Sequence, residues 1–232
     1  MILDDKVAVE HSEPEKFPAL KPNEKRFQIA RAGILLAMCY GIVLILSKAS
    51  YLVDLGFQYK EFSVELRLPY FSFTLWIDAI ISLIAAILFI RWFRRSYFNL
   101  RKTGHSELKY EDVWASAGWF VPIVNLFFPY MIMADLVKGY SKQVETVSVS
   151  EEVNSSVLVG WWWGLRLGEL LVGLFIVDLV FGFYGWAGTY VLGIFSEGVT
   201  IVSGLILLNL MSRISLMENM LYQKSQQKRA SS

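Results

Sequence analysis

Four uninterrupted apolar runs dominate the chain, at residues 29–47, 70–90, 158–181 and 189–211. A bilayer core takes about 20 apolar residues in helix, so each run predicts one span. A fifth run, 114–137, is comparably apolar but carries Pro122, Asn125 and Pro129 in its middle. Proline removes a backbone donor and frees carbonyls upstream of it. At membrane depth such a break must be buried in protein or line a wet cavity. The pattern predicts an all-α integral membrane protein. It has four transmembrane helices plus a Pro-broken re-entrant or interfacial segment, with five spans as the alternative.

The polar stretches set the organisation. Residues 1–28 read as a polar cytoplasmic tail, 29–211 as the helical membrane domain and 212–232 as a basic cytoplasmic tail. The first 26 residues mix charges with Pro14, Pro18 and Pro22 and lack the apolar core of a signal peptide, so they read as loosely ordered. The second helix should run past the membrane to about Lys102, because no breaker precedes Gly104. Residues 48–69 read as an outer surface segment, 138–156 as a mobile loop and 182–188 as a tight outer turn. The end from Gln223 reads as frayed.

Basic residues choose the topology, since they collect on the cytoplasmic side of short loops. With five spans, eleven lie inside and nine outside, which is no bias. With four spans, seventeen lie inside and three (Lys48, Lys60 and Arg67) outside. The four-span form, with both termini cytoplasmic, is preferred. Trp92 and Trp161 to Trp163 then lie at the inner interface, and Tyr184 and Trp186 at the outer one, where amphipathic rings anchor. The Trp triplet reads first as anchoring and alternatively as a stacking platform.

Composition narrows the function. With 55% hydrophobic residues and a mean hydropathy of +0.44, no large soluble domain fits beside the spans. One cysteine, Cys39, excludes an internal disulfide or a CxxC metal site, and His11 and His105 sit in separate polar loops. The chain lacks HExxH, G-x-S-x-G, the P-loop and the dinucleotide fingerprint. No enzyme, no cofactor and no nucleic-acid partner is expected.

Three groups of residues could carry chemistry. Asp78, Arg166, Glu169 and Glu197 come to similar depth near the midplane at about 1.5 Å rise per residue. Charges there usually face the bundle interior. They read as an ion-pair network that fixes register or, alternatively, as a route for protons or cations. Gly160, Gly164 and Gly168 form a small-xxx-small stripe that admits a close helix, within the monomer or from a second copy. Trp92, Arg95 and Asn99 share a face of the second helix's extension, and Arg95 and Asn99 are suitable donors to the carbonyls that Pro122 and Pro129 free. Asn125 is expected to bond at the bend. The basic run around Arg95 should attract anionic headgroups.

The run Trp92-Phe-Arg-Arg-Ser-Tyr-Phe-Asn99, followed by Phe120-Val-Pro122-Ile-Val-Asn125 and Pro129, resembles an uncharacterised bacterial multi-span membrane family, domain of unknown function 4328. The resemblance extends over roughly residues 30–215. It implies a bacterial cytoplasmic (inner) membrane protein and treats Arg95, Asn99, Pro122, Asn125 and Pro129 as one unit. It implies no activity. The expected function is a structural or regulatory helical bundle that binds lipid or a protein partner. The alternative is a small transporter or channel-like protein using the midplane cluster.

Overall fold

The computed structural model describes residues 20–57, 64–104, 108, 110, 111, 113–144 and 149–231. His11, His105 and the side chains of Tyr184 and Trp186 lie outside the described set. The helices are α1 (Glu24–Phe57), α2 (Val64–Lys102), α3 (Trp114–Ala117), α4 (Phe128–Gln143), α5 (Val149–Phe175) and α6 (Val177–Ser231), with a 3-10 turn at Val124–Leu126 before α4. Four stretches are long and apolar enough to cross a membrane: Glu24–Val53, Phe73–Lys102, Glu151–Leu174 and Ala187–Ser231. These contain or overlap the four expected spans.

The fifth run is no single helix. It breaks into α3, the 3-10 turn and α4, so the five-span alternative finds no continuous helix over 114–137. Pro122 lies in the turn after α3, and Pro129 lies in the first turn of α4. A first-turn N–H has no helical partner anyway, so a proline there costs no hydrogen bond. The two prolines separate elements rather than kink one.

Helix ends differ from the membrane edges that the apolar pattern marks. α1 runs on to Phe57, and α2 starts at Val64, so much of the expected surface segment 48–69 is helix. α4 and α5 shorten the expected loop 138–156 from both sides. The expected frayed end from Gln223 is helical to Ser231. As expected, α2 continues to Lys102. Leaving the membrane ends the need for apolar side chains, but at the far ends of α2 and α6 helix formers without Gly or Pro let the helix continue.

The long helices form an open arc. α2 packs on α1, α1 on α6, and α6 on α5. α2 and α5 share no extended interface; the broken segment and α4 bridge them at one end. That end carries Arg26, Arg91, Arg94 and Arg95 and is termed the basic end. The core lies there. Trp92, Phe93, Tyr97 and Leu100 of α2 are fully buried against Ile132, Met133, Leu136 and Tyr140 of α4 and Leu210, Met211 and Ile214 of α6. Gly139 permits this approach, because a Cβ there would meet a Leu100 methyl at 2.6 Å. Away from the core the helices present apolar side chains outward, with Trp76 at 71% and Leu174 at 62% exposure. Such surface suits lipid rather than water.

Between α5 and α6 the helix is interrupted at Ile176, and α6 bends at Gly185, inside the expected turn at 182–188. Gly185 has φ 60° and ψ −148°, a conformation open almost solely to glycine. Gly185→Ala should lower stability by about 1–3 kcal/mol, read as a reduced melting temperature of the purified protein in detergent. An unchanged melt would mean that the turn readily takes another conformation.

Candidate functional site

The basic end is tied together by one buried carboxylate. Glu218 of α6 is 3% exposed. Its Oε2 accepts from Asn23 Nδ2 and from Ser96 Oγ, both at 3.0 Å, and its Oε1 accepts from Asn99 Nδ2. Asn99 also brackets Lys21, accepting from its backbone N at 3.0 Å and donating to its carbonyl at 2.7 Å. Trp92 Nε1 donates to Ser215 Oγ at 3.1 Å, one turn before Glu218. Tyr140 of α4 donates to the Ser96 carbonyl at 2.9 Å. Burial pushes the Tyr140 phenol well above its ordinary range, and the Glu218 charge pushes it further, so it stays a neutral donor. The end of the polar tail is therefore docked here, with Asn23 4% exposed.

This corrects the role expected for Arg95 and Asn99. The Asn99 carboxamide bonds to Lys21 and Glu218, not to carbonyls of the broken segment. Arg95 lies over the Phe98 ring at 5.7 Å, beside Lys21 at 5.0 Å and Lys102 at 5.7 Å. The segment is held instead by Trp163 Nε1, which donates to the Leu126 carbonyl at 2.9 Å, and by aromatic packing. Trp119 meets Phe89, Phe93 and Trp163 edge to face, at 5.7, 6.2 and 5.9 Å between centroids. Edge-on rings set the positive rim of one against the negative face of another.

The Trp triplet divides. Trp161 is 63% exposed, as an anchor would be, whereas Trp162 and Trp163 are buried. Asn125 also departs from expectation. Its backbone N–H bonds to Val121 O at 2.7 Å, but its buried side-chain Oδ1 has no partner among the described residues, and neither does Trp119 Nε1. Both residues line a cavity of about 650 Å³ between the helices. Phe89, Trp162 and Trp163 line its base, and Arg166, Glu169 and Thr200 line its polar wall.

The midplane residues form two adjacent pairs. Arg166 Nη1 lies 2.9 Å from Glu169 Oε2, and Glu169 Oε1 also accepts from Ser196 at 3.2 Å and from Thr200. Glu197 pairs with Lys48 at 3.0 Å, and Asp78 lies within electrostatic range of Lys48. Lys48 was expected in an outer surface segment. It belongs to α1, and its amine reaches back into the bundle.

The glycine stripe faces outward. A Cβ at Gly160, Gly164 or Gly168 would meet nothing within 4 Å, so close packing within the monomer, the first of the two expectations, is not formed. Cys39 is exposed and free.

Three further residues escaped the sequence reading: Glu218, Ser215 and Asn23. The first two continue a recognisable signal. Leu210, Met211, Ile214, Met217 and Leu221 keep helical spacing past the end of the apolar run. Asn23 carries no such signal.

A family model described as Domain of unknown function (DUF4328) matches residues 70–215. The match takes in Trp92, Arg95, Asn99, Pro122, Asn125 and Pro129. It leaves out α1 up to its end, expected to be covered from about residue 30, and stops three residues before Glu218. No curated protein and no solved structure matches the chain.

Two stability tests follow. Glu218→Ala strands the Asn23 and Asn99 amides and should cost about 2–4 kcal/mol, at about 1–3 for each donor that cannot re-pair. It should also speed tryptic cleavage after Lys25 and Arg26, and unchanged cleavage would argue against the docked tail. Lys48→Met should cost about 3 kcal/mol by leaving the Glu197 carboxylate without its cation among apolar helices, and Glu197→Leu should cost less, because Asp78 still acts on Lys48. The double variant should recover most of that loss in a melt. Additive losses would mean that the pair is not coupled.

Proposed function

Since the chain belongs to the DUF4328 family, whose function is unknown, we propose from its own geometry that it is a lipid-engaging helical bundle of a bacterial cytoplasmic membrane. In this reading it is no enzyme. Its N-terminus and basic end face the cytoplasm, and its work is structural or regulatory. The observation that carries the reading is the arginine cluster. Arg95, Arg91 and Arg94 all act electrostatically on Arg26, and all four sit where the apolar stretches of α1 and α2 give way to polar sequence. Arg26 spends one N–H on the Arg91 carbonyl at 3.4 Å, which turns the two helices' cations toward one patch. Like charges held this close are relieved by an anion. At this depth the abundant anion is a lipid phosphate.

Passage of protons or cations has weaker support. Glu169 and Glu197 each have a cation partner, at 2.9 and 3.0 Å, which fits a network that fixes helix register.

The test is a lipid titration of the full chain in neutral detergent. Phosphatidylglycerol should raise the melting temperature more than phosphatidylcholine, and added salt should shrink the difference. The triple variant Arg91→Gln, Arg94→Gln, Arg95→Gln should abolish it, each basic residue contributing about 1 kcal/mol near an anionic surface. Equal stabilisation by the two lipids in the unaltered protein sinks the reading.

A further inference from the structure

We infer that the cation cluster around Phe98 is a docking site for the acidic segment 1–19 of this same chain. The inference shares Arg95 with the lipid reading and otherwise stands on different residues, so either can fail alone. Three cations converge on one ring: the Lys21 amine at 5.0 Å from the Phe98 centroid, the Arg95 guanidinium at 5.7 Å and the Lys102 amine at 5.7 Å. A ring has two faces, so at least two of the three share one. The ring attracts each cation, but the cations repel one another at this range. Among the described residues none of the three pairs with a carboxylate. Glu218 is buried, and its oxygens are taken by Asn23, Ser96 and Asn99. Lys21 and Lys102 are exposed, so an anion from outside the described fold has access.

Position argues against a lipid phosphate as that anion. Arg91, Arg95, Phe98 and Lys102 follow one another at spacings of four, three and four, on one face of α2. Phe98 lies roughly 10 Å along the helix from Arg91, away from the apolar stretch, and the screening length at physiological salt is about 8 Å. A phosphate level with Arg91 therefore does little for Lys21 and Lys102. The chain itself carries the complement. Residues 1–19 hold Asp4, Asp5, Glu10, Glu13 and Glu15 against Lys6 and Lys16. They join the described chain at the buried Leu20, and the next residue is Lys21, whose backbone Asn99 holds at 3.0 and 2.7 Å. The segment is thus delivered to the cluster. From Glu15 to Lys21 the extended chain spans at most about 20 Å, so Glu15 has all three cations within reach, and Glu13 and Glu10 have more chain still. Tethering at this length sets a local concentration on the order of millimolar. Exposed ion pairs are weak singly, so the docked segment is displaceable, and Arg95 is where it competes with a lipid phosphate.

The test is zero-length carbodiimide coupling of carboxylates to lysines in the full chain, held in phosphatidylcholine nanodiscs, which offer no net anionic lipid. Linked peptides are identified by mass spectrometry. Lys138 of α4 and Lys224 of α6 are also exposed and serve as comparison amines. Lys102 should couple to Glu10, Glu13 or Glu15 roughly fivefold more often than either does, the factor that an exposed ion pair or two supplies. The preference should vanish in about 1 M salt, where the screening length falls to about 3 Å, and Arg95→Gln should reduce it. If Arg95→Gln fails to fold, the salt comparison in the unaltered protein still decides. Equal coupling at the three lysines, or none at Lys102, overturns the proposal. Coupling of Lys102 to Glu107 or Glu111 instead also overturns it and assigns the cluster to the segment after α2. Links found only between two copies of the chain overturn it as well and make the cluster a contact between protomers.

Discussion

The burial of the Glu218 carboxylate is the constraint from which the architecture follows. A charged group cannot leave water without replacements for its lost hydrogen bonds. Glu218 obtains them from three directions: Asn23 before α1, and Ser96 and Asn99 of α2. Each donor comes from a segment distant in sequence, so the carboxylate fixes the chain's first described turn, its second helix and its last helix at one point. Tyr140 adds α4 through Ser96. Within the lipid no comparable force acts, because helix surfaces and lipid tails are equally apolar. The long helices accordingly bury little against one another along their apolar windows, and the tightly packed core lies at the basic end.

That division of labour lets the broken segment exist. Its freed backbone groups are not shielded by a complete ring of spans. They rest on aromatic side chains, with the Trp163 indole capping Leu126 and Trp119 wedged among Phe89, Phe93 and Trp163. A segment supported from one side leaves the other side of the bundle open, and Trp119 and Asn125 line that opening. Stability at one end and vacancy along the middle are two aspects of one packing solution.

Much of this was legible from the sequence. Span length is dictated by bilayer thickness, so four runs of about 20 apolar residues announce themselves, and Pro122 and Pro129 mark the break without ambiguity. Helix ends were less legible, because the apolar pattern reports the lipid boundary and α1, α4 and α6 continue beyond it. The motif residues Trp92 and Asn99 stood out while their partners did not. Ser215 and Glu218 sit in a polar stretch whose charges read as a solvated tail, and a pairing over more than a hundred residues leaves no local trace. Lys48 was misplaced for a related reason: its position reads as the end of a span, and nothing in a single sequence reveals that its amine turns inward toward Glu197.

Helix α6 also acts as a ruler. After the bend at Gly185 it runs without interruption from Ala187 past Ser215, the first of its polar contacts with α2. The rise from Ala187 to Ser215 is roughly 42 Å, close to the 40–45 Å of a bilayer with its headgroups. One end is pinned by the hairpin and the other by the buried carboxylate, so the helix cannot shorten to suit a thinner membrane. Its remaining freedom is tilt, and tilting α6 moves α5 relative to α1, because both pack on it. A mismatch between α6 and the bilayer is therefore met by tilt rather than by a change in helix length.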